Sequence, residues 1–216
     1  ARGLSVRASM TIFGREMAAS RCSPSASSQM MLKKPMIRWT SSQLGSERLG
    51  YLANLPNSHD VWLSGKRVRL FHASHISEHH RVRQDVSAEV QREMFTNTEF
   101  TGFDQPEPDI VGYGDIHGAF LTSPYDSGKI LFNAGSVGNP LDMPIAVYVI
   151  MSGNLGSTEL ATFGIDFVRV PYDIEAQIKR AYDLNMPDTE PYARELRTGV
   201  YRHRKTEKSS KRKRTR

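Results

Sequence analysis

The side chains best suited to chemistry are concentrated between Asp109 and Pro140. Gly114-Asp115-Ile116-His117 follows the short, partly β-branched run Ile110-Val111-Gly112-Tyr113 and places a carboxylate and an imidazole two residues apart. Both are potential metal ligands, and in an extended segment that spacing would point them to the same side. Further on, Lys129-Ile130-Leu131-Phe132 runs into Asn133-Ala134-Gly135-Ser136-Val137-Gly138-Asn139-Pro140. The backbone N–H groups of that loop can form a nest for an anion. Alternatively, its glycines serve only the positive φ of a strand-to-strand turn, and this plainer role is preferred. Ligand-type residues thus gather where strands are expected to end, which is where open α/β sheets place their sites.

The flanking pattern supplies the elements that must hold these residues. Leu49, Leu52 and Leu55 have helical spacing after Ser46, a good N-cap, and Pro56 stops the helix. Val61-Trp62-Leu63 and Val68-Arg69-Leu70-Phe71 predict a hairpin turned at Ser64-Gly65, whose second strand delivers His72. Asn57-Ser58-His59-Asp60 is expected to be a polar turn between helix and strand, and His75, His79 and His80 a solvent-exposed loop. Val86, Val90 and Met94 predict an amphipathic helix within 85–95. Ala146–Met151 and Phe163–Val170 predict strands joined by a link too short for a helical crossover, hence antiparallel. Asp173 is then expected to cap a helix that presents Ile174, Ile178 and Ala181 on one side.

Tyr113-Gly114-Asp115-Ile116-His117, followed by Asn133 to Pro140, resembles the last two signatures of the calcineurin-like metallophosphoesterase superfamily, and most closely its small bacterial phosphodiesterases and phosphatases. There the first signature is Gly-His-x-His, so Asp115 stands where the family has a histidine. Val168 to Glu175, Met186-Pro187 and the Leu196-to-Gly199 ending extend the likeness over about residues 39 to 202. The fold class this implies is α/β, part of a four-layer α/β/β/α sandwich in which two sheets pack face to face, this chain resembling its C-terminal part and providing mainly the second sheet, with the N-terminal half not recognisable.

The resemblance implies hydrolysis of a phosphate mono- or diester at a dinuclear site, with two divalent ions drawn from Mn, Fe, Zn or Ni. His72 and Asp115 would serve one metal and His117 the other, while Asn133, Gly135 and Ser136 would contact the phosphate-ester substrate. Of the family's earlier signatures, Asn57-Ser58-His59-Asp60 invites reading as Gly-Asn-His-Asp/Glu, but the polar turn is preferred, and the others are not found. No Asp-x-His pair precedes His72, Asp60 is the only aspartate before residue 85, and no general acid is evident. A rival expectation is therefore a catalytically incomplete phosphoesterase remnant that acts as a binding or interaction module.

Two hundred and sixteen residues, 38% apolar, suffice for one core, and no stretch approaches the ~18 uninterrupted apolar residues of a membrane span. The single cysteine, Cys22, excludes an internal disulfide framework and fits a reducing, cytoplasmic setting. The net charge of +6 is unevenly spread: residues 41–200 hold 13 Lys/Arg against 21 Asp/Glu, a net −8, so both ends are basic. Residues 1–38, rich in Ser, Ala and Arg, are expected to be a low-complexity, disordered extension, with organelle targeting as the other reading. Residues 203–216, with Lys211-Arg212-Lys213-Arg214, are expected to be a disordered tail that could touch nucleic acid electrostatically. No membrane partner is expected, and an open sheet edge would favour homo-oligomers.

Overall fold

The computed structural model describes residues 35–202. The expectations for residues 1–34 and for the tail 203–216 lie outside the described residues. Helix α1, Pro35–Ala53, begins four residues before the boundary expected at residue 39 and breaks at Gly45 (φ 73°), so that its second part starts at Ser46, as the capping pattern indicates. Leu49 and Leu52 are buried, and the Trp39 indole donates to the Leu184 carbonyl.

Strands β1, Ser58–Leu63, and β2, Lys66–Phe71, form the expected antiparallel hairpin. Ser64 (φ 49°) and Gly65 (φ 78°) both take left-handed backbone, the conformation whose twist matches the paired strands. Ser64 tolerates it because its hydroxyl is engaged twice, donating to the Thr162 carbonyl and accepting from the Asn154 N–H. Ser58 to Asp60 are strand residues and not the polar turn expected. Asp60 faces Arg67 and Arg69 on the neighbouring strand, at 2.8 and 2.9 Å, and the charge pairing draws the segment into the sheet.

Beyond α2, Ala88–Glu93, strand β3, Ile110–Tyr113, pairs parallel to β2 and to β5, Ile130–Asn133; β4, Phe120–Thr122, pairs antiparallel to β5. The resulting sheet has the order β1-β2-β3-β5-β4. Strands β6, Ala146–Ser152, and β7, Gly164–Val170, pair antiparallel, as expected, in a separate two-stranded sheet. Helices α3, Ile174–Asp183, and α4, Thr189–Thr198, follow, with the Asp173 carboxylate accepting the Ala176 N–H as the predicted cap.

The strand period of two sorts apolar residues to two faces. Val68, Leu70, Ile110 and Phe132 meet Val149, Met151, Ile165 and Phe167 of the β6–β7 hairpin, which is the sheet-on-sheet contact of a sandwich. Phe71, Val111, Tyr113 and Leu131 face the other way, onto Val82, Met94 and Phe95 beside α2. The α/β class with two sheets packed face to face is therefore the architecture observed, and the larger sheet carries most of the described strands.

Candidate functional site

The C-terminal ends of the three parallel strands deliver three loops to one edge of the large sheet: β2 ends at His72, β3 at Asp115, β5 at the glycine-rich loop. Backbone bonding sets the first two side by side, because the His72 carbonyl accepts the N–H groups of both Gly114 and Asp115, at 2.9 and 3.0 Å. The His72 Nε2 atom lies 3.5 Å from Asp115 Oδ1, with the two side chains only 10% and 11% exposed.

The segment beyond Asp115 does not stay extended. Residues 115 and 116 form a turn, closed by the His117 N–H to the Gly114 carbonyl, and His117 takes left-handed backbone at φ 57°. The alternation expected to align Asp115 with His117 is thus replaced by a turn, which still leaves the His117 ring within electrostatic reach of Asp115 and His72. Left-handed backbone is uncommon for histidine and persists only where its surroundings over-determine it. Here the His117 carbonyl accepts the Leu141 N–H, and its Nδ1 donates to the Asn139 carbonyl at 2.9 Å. A carbonyl only accepts, so this contact assigns the proton to Nδ1 and leaves the Nε2 lone pair available. Burial holds the ring's pKa below its ordinary value, against the opposing pull of Asn139 and Asp115.

Arg81 is the residue that the sequence did not announce. Its Nε and Nη2 reach Asp115 Oδ2 and Oδ1 at 2.5 and 3.0 Å, a bidentate fork from a half-exposed side chain. Burial would raise the Asp115 pKa, but hydrogen bonds from His72 and Arg81, together with the charge of Arg81, hold it well below the carboxylate range. The loop that carries Arg81 is pinned by its neighbour Val82, buried in the core, whose carbonyl accepts the Tyr113 hydroxyl at 2.9 Å. His75 departs from the expected exposure: it is 5% exposed, and its carbonyl accepts the Thr98 hydroxyl. Packing beneath the loop encloses it, while His79 and His80 stay at the surface.

In the glycine-rich loop, Asn133 Oδ1 accepts the Gly135 N–H and Ser136 Oγ accepts the Asn139 N–H, so both polar side chains are used to shape the loop. Gly135 has φ 71°, and a Cβ there would meet Val147 Cγ1 at 2.3 Å, so backbone freedom and close approach are both required. Asn139 Nδ2 in turn donates to Glu195 of α4, a carboxylate 1% exposed that also holds Arg202 at 2.9 and 3.0 Å. Neither Glu195 nor Arg202 has a local signal in the sequence, since a charged residue on a helix is ordinarily a solvated one.

Two imidazoles and a carboxylate are donors of the type a transition metal takes, but their arrangement does not fit one. Both Asp115 oxygens are committed to Arg81, and among the described residues no group of three or more His, Cys, Asp or Glu side chains is set to hold an ion. Among the same residues no helix is long and apolar enough to cross a membrane.

Comparison with known proteins gives a likeness of fold. A metallophosphoesterase from Sphaerobacter thermophilus superposes with a TM-score of 0.57 at 22% identity, over 87% of this chain and 75% of that one. A hypothetical protein from Pyrococcus horikoshii OT3 superposes with a TM-score of 0.59 at 14% identity, over 89% of this chain and 70% of that one. No protein-family model and no curated protein matches the sequence. The resemblance carried by Tyr113–His117 and Asn133–Pro140 is thereby borne out as a likeness of fold: the chain has the metallophosphoesterase architecture.

Proposed function

We propose that this chain is a non-hydrolytic binding module built on the metallophosphoesterase fold. The observation that carries the reading is the state of Asp115, both of whose oxygens are taken by the Arg81 fork. Two-metal hydrolysis requires carboxylates free to bridge and neutralise ions about 3.5 to 4 Å apart. A carboxylate forked by a guanidinium is engaged with a positive charge already, and among the described residues no group of three or more His, Cys, Asp or Glu side chains is set to hold an ion. In this reading Asn133, Gly135 and Ser136 shape the loop and contact no substrate.

The surface such a module would offer is the outward face of β6–β7, where Tyr148, Ile150 and Val170 are 41%, 46% and 42% exposed. Among the described residues each of these strands pairs only with the other; the outer edge of β6 is engaged at Val147, whose N–H donates to the Ser136 carbonyl at 3.1 Å, while that of β7 pairs with no further strand. A second copy of the chain, packing the same exposed apolar face against it, is the occupant we assign to it.

The test is hydrolysis of an aryl phosphodiester and an aryl phosphomonoester by the purified chain in Mn²⁺, Zn²⁺ or EDTA. The expected rate is that of buffer in all three, for the parent protein and for His117→Ala alike. Metal-dependent turnover lost in His117→Ala would overturn the proposal and establish the dinuclear phosphoesterase expected from the sequence resemblance, with His72, Asp115 and His117 as its ligands.

A further inference from the structure

We propose that residues 72–81 form a latch that closes on Asp115 at the edge of the large sheet and is opened by acid, with His75 as the group that takes up the proton. The inference goes beyond the non-hydrolytic reading and does not depend on it. Both ends of the loop meet on one carboxylate oxygen: His72 Nε2 lies 3.5 Å from Asp115 Oδ1, and Arg81 Nη2 donates to the same atom at 3.0 Å. Between these ends the loop is tied to itself. Ser74 Oγ accepts the Ile76 N–H at 3.1 Å and the Ser77 N–H at 3.4 Å, and lies 3.0 Å from His80 Nδ1. A surface segment with its ends together and its interior bonded to itself is a compact loop that can open as one unit.

His75 is turned inward, 5% exposed, and its Nδ1 meets no hydrogen-bond partner among the described residues. The charged and titratable groups that face it are His80 of the loop itself, Glu93 of α2 and Arg69 of β2, the last paired with Asp60 at 2.9 Å. A proton on the ring therefore creates a buried cation whose Nδ1–H has no acceptor, among two basic groups and one carboxylate. Burial chiefly, with His80 and Arg69, holds the His75 pKa below its ordinary value, against the pull of Glu93. In the open loop the ring regains water and its ordinary proton affinity. Closure is thus fully supported above about pH 6.5 and is lost as pH falls toward the closed-state value. Opening releases the His75 carbonyl from the Thr98 hydroxyl and uncovers Asp115, whose side chain is 11% exposed while the loop is closed.

The experiment is amide hydrogen exchange, read by mass spectrometry on the full chain at about pH 7.5 and 5.5 and corrected for the intrinsic effect of pH on exchange. Peptides within 72–81 are expected to exchange about threefold or more faster at the lower pH, while β2, β3 and β5 keep their protection. In His75→Gln, whose side chain takes up no proton, that difference should vanish; in His80→Gln it should persist. Should His75→Gln fail to fold, the His75 ring is followed by NMR in the parent chain, where its titration should coincide with the onset of loop exchange. An acid response that survives in His75→Gln, or is lost in His80→Gln, places the proton elsewhere and overturns the inference. It is equally overturned by a His75 ring that titrates without change in loop exchange, and by a gain spread evenly over the strands, which is global unfolding. None of these outcomes bears on the hydrolysis assay that tests the proposed function.

Discussion

Glu195 and His117 are joined through one intervening residue: the Asn139 amide donates to Glu195 at 3.1 Å, and the Asn139 carbonyl accepts His117 Nδ1–H at 2.9 Å. The ring that faces the site is thus oriented from the last helix, through the glycine-rich loop. Arg202 closes the chain of contacts by covering both Glu195 oxygens, and its backbone N–H adds a third bond at 2.9 Å. Burial would raise the Glu195 pKa, and these hydrogen bonds, chiefly those from Arg202, outweigh it and keep the carboxyl below its ordinary range.

Glu195→Ala should therefore cost far more than a surface substitution. It strips Arg202 of its closest partner, leaving Asp188 at 4.0 Å, and takes one partner from Asn139, and breaking a buried pair on one side costs about 3 kcal/mol. Urea denaturation should show the midpoint falling at unchanged slope. In the same variant the His117 ring resonances should broaden or shift, because the carbonyl that fixes its tautomer is no longer held. Unchanged ring resonances would show that Asn139 is positioned by the loop alone.

Stability should decline on mild acidification because of His75. Burial is the main cause that holds its pKa below the ordinary 6.5, with His80 adding to it. The unfolded chain binds the proton more readily than the folded one, so the stability carried by neutral His75 is complete above about pH 6.5 and is lost as pH falls toward the folded value. Measured between pH 7.5 and 5, the unfolding free energy should decrease with falling pH, and His75→Gln should flatten that slope.

Gly135→Ala should destabilise the loop by about 2 kcal/mol, combining the left-handed backbone with an overpacked contact at Val147. The thermal midpoint should fall by several degrees, whereas Gly138→Ala, where a Cβ would meet nothing within 4 Å, should leave it nearly unchanged. Equal effects at the two glycines would contradict this account of the loop.

Self-association should follow the outer face of β6–β7. Ile150→Lys places a charge at a 46% exposed apolar position that touches no core, so the fold should persist while sedimentation shows a shift toward monomer. A parent chain that is monomeric at high concentration would remove the second copy as the occupant of this face.

The amino-acid sequence by itself determined the elements and the place of the site. The β1–β2 turn follows from Ser64-Gly65, the α3 cap from Asp173, and the antiparallel β6–β7 pair from a link too short for anything else, all of which are local relationships that periodicity and turn chemistry express directly. The motif at Tyr113–His117 and Asn133–Pro140 likewise carried the architecture, because those residues end parallel strands on one sheet edge. Only the tertiary structure decided what occupies that edge. Arg81 lies 34 residues from Asp115, and Glu195 lies 56 residues from Asn139. A charge that pairs across such a separation leaves no period and no spacing in the chain, and by composition alone it is indistinguishable from a solvated surface charge. His75 was hidden for the same reason: a polar loop is exposed by default, and only the tertiary structure, which leaves His75 5% exposed with its carbonyl bonded to the Thr98 hydroxyl, decides otherwise.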